Sequence, residues 1–117
     1  MKNSFFVASE RDLKLVYVED GTVKGDRFKL RIVFSSPVLD KNGFVVDFIL
    51  INDILDSLEE IVSSKKANDL LEQGFSFPAF LGFIKDFVEK RLKSEHIVIT
   101  EVSLTNGEEG YIGRFDS

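Results

Sequence analysis

Residues 42–61 read NGFVVDFILINDILDSLEEI. A glycine-marked turn at Asn42 and Gly43 leads into the short apolar run Phe44 to Val46, which reads as a strand, and then past a buried-looking acid, Asp47, to a change of period. From Ile51 the apolar positions fall at 51, 54, 55, 58, 61 and 62, the spacing of one helix face, and Asp56, Glu59 and Glu60 are left for water. The acid at the junction has a local explanation. At a helix start its carboxylate accepts hydrogen bonds from free backbone N–H groups and suits the positive end of the helix dipole, each effect worth about 0.5–2 kcal/mol.

Upstream of this helix the period is two. Phe28, Leu30, Ile32 and Phe34 alternate with Lys29, Arg31 and Val33, so Arg27 to Phe34 is a half-buried strand. A first arm lies within Phe5 to Val18, where Leu13, Leu15 and Tyr17 alternate with Lys14, Val16 and Val18, and EDGT (residues 19–22) supplies the turn between the two. Downstream, a second helix runs from about Pro78, a tolerated first-turn proline, to Lys93, with Phe80, Phe83, Ile84, Phe87 and Val88 as its stripe. HIVITEVSL (residues 96–104) is a strand, TNGEEG a turn and YIGRF a short last strand. The order ββααββ predicts one α+β domain over residues 1–117, a four-stranded antiparallel sheet with two helices on one face. Val16, Val33, Val98, Val102 and Leu104 would then leave apolar side chains on the uncovered face, which favours subunit association.

Composition narrows the chemistry. The chain has no cysteine and one histidine, His96, so disulfides, thiolate metal sites and a thiol nucleophile are excluded. Its net charge is −5 and its 15 Lys and Arg are spread along the sequence, so no basic stripe suggests nucleic acid as a partner. The first residues lack a signal-peptide run and no segment reaches a membrane span, which points to a cytoplasmic protein with no membrane partner. Twelve Phe against two Tyr and no Trp indicate large apolar faces filled without polar handles, a signature of packing rather than of catalysis.

The element order, the entry NGFVVDF to the first helix, and VITEVSL followed by GYIGRF resemble the 6-pyruvoyltetrahydropterin synthase and 6-carboxytetrahydropterin synthase family, which has the tunnelling fold. Gly43, Val45, Val46, Asp47, Phe48 and Ile51 reproduce that family's glycine, apolar, aspartate, phenylalanine entry. The family is a lyase that uses three histidines to hold a catalytic zinc. At those positions this chain has Glu10, within FVASE, and Lys24 and Asp26, within KGD. A protonated lysine cannot ligate and repels a cation, so the zinc cofactor expected from the family has lost its ligands here and no metal is expected. An ion-pair cluster in which the Lys24 ammonium replaces the metal charge is the simpler expectation; a harder ion between the two carboxylates is the alternative.

Other parts of the family's machinery are also missing. Its cysteine has no counterpart, and its aspartate and histidine align with Ser63 and Ser64, with Asn68 and Asp69 retained just beyond. Asp20 reads as a turn residue and His96 as an exposed strand-end residue. The resemblance leaves Glu101 as a ligand-binding residue, since the family glutamate at this point accepts two parallel N–H bonds from the pterin edge; a structural salt bridge is the alternative. Simple alternation sets Glu101 on the face of Ile97 and Ile99. Ser76 matches the threonine of the family's pterin-side motif, whose glutamate falls at Pro78 or Ala79. Three readings follow. The first is a diverged, non-lyase scaffold binding a pterin or purine-like heterocycle through Glu101. The second is an active pterin or deazapurine enzyme with a metal-free site on Glu10, Lys24 and Asp26, and the third a non-catalytic assembly subunit. The resemblance further implies a homo-oligomer, a trimer or hexamer, with ligand sites between subunits.

Overall fold

The structure, a computed structural model, describes residues 4–39, 41–94 and 96–115. Strands β1 (Phe5–Glu19) and β2 (Thr22–Ser36) form a long hairpin, helices α1 (Phe48–Ser64) and α2 (Phe77–Leu92) follow with a 3-10 turn at Ala67–Leu70 between them, and β3 (Val98–Asn106) and β4 (Glu109–Arg114) close the chain. All four strands belong to one antiparallel sheet in the order β1-β2-β3-β4. The α+β class and the ββααββ order are as expected from the sequence. The first hairpin turns through Asp20 and Gly21, both at positive φ (52° and 75°), a two-residue loop whose twist matches that of the strands.

Both helices lie on one face of the sheet. Leu13, Leu15, Phe28, Leu30, Ile32, Phe34, Val102 and Leu104 point toward Ile51, Leu55, Leu58, Phe80, Ile84 and Val88, all of them buried. Each such side chain removed from water contributes about 1.5–3 kcal/mol, so this layer holds the fold together. Arg11, on the same sheet face at the rim, ties β1 to α1 through ion pairs with Asp56 and, at 3.2 Å, Glu59.

Asp47 caps α1 as anticipated: its Oδ1 accepts from the Ile49 N–H at 2.9 Å, and the residue is exposed rather than buried. The apolar run before it, Phe44 to Val46, is not a strand. It joins no strand of the sheet; it buries Val46 against the core and continues into the helix.

The uncovered face also departs from the simple expectation. Val102 and Leu104 belong to the buried core, while Val16, Val33 and Val98 stay only half-buried. A β-bulge accounts for this: Val33 pairs with Glu101 and Phe34 with Ile99, so Thr100 is an extra residue and the parity of β3 changes there. The middle of the uncovered face carries Lys14, Arg27, Lys29, Arg31 and Arg114 together with Glu10, Asp12 and Glu101. That face is therefore charged in the middle, with apolar side chains toward its ends and at Ile112 on β4.

Candidate functional site

The bulge at Thr100 decides where Glu101 points. Ile99 is buried under the helices, and strict alternation would place Glu101 beside it; the extra residue turns Glu101 to the uncovered face, opposite Val33. The expectation that it shares a face with Ile97 and Ile99 is thereby corrected. Thr100 is fixed at the bulge by its Oγ1, which donates to the Val33 carbonyl at 3.4 Å, and by its own carbonyl, which accepts from the Phe115 N–H at 2.9 Å.

Two arginines flank the carboxylate. Arg31 Nη1 donates to Oε2 and Arg114 Nε to Oε1, both at 3.3 Å, and the Glu101 side chain retains 22% of its exposure. Arg114 is 80% exposed, so that pair is screened by solvent and worth no more than about 1 kcal/mol. The arrangement can do one thing chemically: a carboxylate on an open sheet face holds planar N–H donors at each oxygen. Sequence reasoning missed both arginines, because Arg31 reaches Glu101 across 70 positions and Arg114 lies beyond a turn.

Ser76 caps α2, its Oγ accepting from the Ala79 N–H at 3.1 Å, which leaves the hydroxyl proton free to donate. It lies between Phe75 and Phe77 at one end of an aromatic cluster. Phe77 stacks on Tyr111 at 3.9 Å, and Tyr17 packs against Phe75 and Phe77 at 5.0 and 5.4 Å.

The degenerate metal positions are not brought together. Glu10 is on the uncovered face opposite Arg31, whereas Asp26 and Lys24 are on the other face, opposite Leu15 and Tyr17. The expected ion-pair cluster of the three does not form: alternation sends Glu10 to the other face, and Lys24 and Asp26 each take a different partner. Lys24 Nζ donates to Glu19 at 2.9 Å, and this hydrogen bond, with the attraction of the same carboxylate, raises the lysine pKa. Asp26 Oδ2 accepts from the Tyr17 hydroxyl at 2.8 Å. Burial first, and then the bond to Asp26, push Tyr17 up to about 12. Among the described residues no group of three or more His, Asp or Glu is placed to hold a metal ion.

The remaining carry-over positions have structural partners. Ser63 and Ser64 donate to helix carbonyls of Glu60 and Ile61 at 2.9 and 3.1 Å. Asn68 clamps the edge of β1, its Oδ1 accepting from the Val18 N–H at 2.7 Å and its Nδ2 donating to the Val18 carbonyl at 3.0 Å. Asp69 and His96 are exposed. A surface cleft of about 540 Å³ between the 70–74 loop and α2, and a recess of about 370 Å³ around Phe44 and Phe48, contain neither Glu101 nor Ser76. Among the described residues no helix is long and apolar enough to cross a membrane.

Comparison of the sequence with protein-family models and with curated proteins finds no significant match.

Proposed function

We propose that the chain is a diverged scaffold of the 6-pyruvoyltetrahydropterin synthase kind, which holds a pterin or purine-like heterocycle through Glu101 and lacks the zinc-dependent lyase chemistry of that family. The observation that carries this reading is the pair of guanidinium contacts on Glu101. A guanidinium presents planar N–H donors of the same kind as the amino-pyrimidine edge of a pterin or guanine, so the carboxylate already receives the chemistry such a ligand offers. The exposed Arg114 exchanges for a ligand edge at little cost, since one set of planar donors replaces another. The Ser76 hydroxyl keeps a proton to donate, in line with the carried-over role of a pterin-side hydroxyl.

The bulge favours a ligand role over a purely structural one. An extra residue that re-aims a glutamate away from the core is a feature of sheets near binding sites. The outer strands β1 and β4 each leave one edge without a neighbour in the sheet. Edge pairing into a cyclic trimer or hexamer satisfies those edges, turns the uncovered faces inward, and brings a neighbouring chain beside Glu101. A cytoplasmic setting fits a chain without cysteine.

The test is a calorimetric titration with 7,8-dihydroneopterin and guanine alongside light scattering. Saturable binding that weakens about tenfold or more in Glu101→Gln, with the oligomer unchanged, supports the reading, since a charge-assisted fork is lost. An intact oligomer that binds neither compound at millimolar concentration leaves an assembly subunit as the answer. Sustained turnover of dihydroneopterin triphosphate, abolished by Asp26→Ala, would instead establish a metal-free enzyme.

A further inference from the structure

The uncovered sheet face is positive on a negative protein. Five cations stand there against three carboxylates, while the whole chain carries −5. Within it, Lys14 and Arg27 are direct cross-strand partners, two like charges facing each other, and Lys29 follows Arg27 on the same face one strand repeat further on. Like charges directly opposite destabilise an antiparallel pair. Among the described residues none of the three has an ion-pair partner, although Arg31 and Arg114, further along the face, both bind Glu101. Lys29 faces Asp12 across the strands, so the repulsion left without a compensating partner is that between Lys14 and Arg27.

We propose that Lys14, Arg27 and Lys29 form a binding site for a compact, multiply charged phosphoryl group, separate from Glu101. Arg27 supplies a planar fork suited to two phosphoryl oxygens, and Lys14 and Lys29 supply point charges on either side. Across the strands Lys14 and Arg27 have Cβ atoms about 5 Å apart, and the repeat from Arg27 to Lys29 is about 7 Å, so one small anion meets all three. The boundaries of the patch select a compact ligand. Asp12, opposite Lys29, and Glu10 beyond it close one side with carboxylates, and Val16 opposite the bare Gly25 closes the other without charge. A long polyanion or an extended acidic segment would meet Asp12, Glu10 and the Glu101 that holds Arg31 in one direction and leave the cations in the other.

Sodium pyrophosphate is the probe, titrated calorimetrically into the intact chain at low and high salt, with citrate as the competing anion. Saturable binding that weakens with salt is expected, and Lys14→Ala or Arg27→Gln reduces affinity about tenfold or more, the loss of one charge-assisted contact. Lys90→Ala, which removes the same unit of charge from α2, changes affinity less than about twofold if local contacts rather than net charge decide it. The decisive variant is Lys14→Glu. It places opposite charges across from each other, so the free protein melts at higher temperature while pyrophosphate binding is lost. Absence of saturable binding, wild-type affinity in Lys14→Ala, citrate binding as tightly as pyrophosphate, or a lower melting temperature for Lys14→Glu would each overturn the proposal. Because the readout is pyrophosphate alone, its failure is distinct from a failure of heterocycle binding at Glu101.

Discussion

Glu10 and Asp26 stand on opposite faces of one sheet, Glu10 across from Arg31 and Asp26 across from Leu15. Arg31 and Asp26 are five positions apart on β2, which at the strand rise is about 17 Å. No single ion reaches both carboxylates. The purified protein is accordingly expected to carry no stoichiometric zinc by atomic emission, and one zinc per chain that disappears in Asp26→Ala would contradict the geometry.

Tyr17 gives the fold a dependence on alkaline pH. Its folded pKa, about 12, lies above the ordinary 10.0, so the native state keeps a proton that the unfolded chain releases. The stability this contributes is whole below pH 10 and is lost as pH rises from about 10 to about 12, amounting to roughly 3 kcal/mol. In Tyr17→Phe the decline across that window becomes shallower. Urea midpoints measured every half unit from pH 9 to 12 check this; equal slopes for the two proteins would refute it.

Asn68 acts as a short piece of strand against Val18. Replacing it with Ala leaves an N–H and a carbonyl of half-buried Val18 without their amide partner, a loss of about 1–3 kcal/mol. Asn68→Asp keeps an acceptor for the N–H but sets a carboxylate against the Val18 carbonyl, and is expected to be no better than Ala. Denaturant unfolding of both variants decides it, with a change in Asn68→Ala below about 0.5 kcal/mol counting against the clamp.

The two helix caps separate fold from ligand. Ser76→Ala and Asp47→Ala each remove the acceptor for a first-turn N–H and should cost about 1 kcal/mol, whereas Ser76→Asp, another good cap, should leave stability nearly unchanged. If heterocycle binding falls in Ser76→Asp while the melting temperature holds, the hydroxyl donates to the ligand. Unaltered binding would confine Ser76 to capping.

What was legible in the sequence was local. Period-two runs marked β1 and β2, the 51-to-62 spacing marked α1, and Asp47 and Asp20 announced a cap and a turn, because these features depend on neighbours within a few residues. The parity of β3 was not legible. One extra residue at Thr100, set by pairing with a strand 67 positions away, moves Val102 and Leu104 into the core and Glu101 out of it. Charge followed the same division. Along the sequence the lysines and arginines look evenly spread, and that spread argued against nucleic acid as a partner. Only antiparallel pairing, which puts Lys14 against Arg27, together with alternation along the strands, gathers five of the 15 on a single face of an acidic protein.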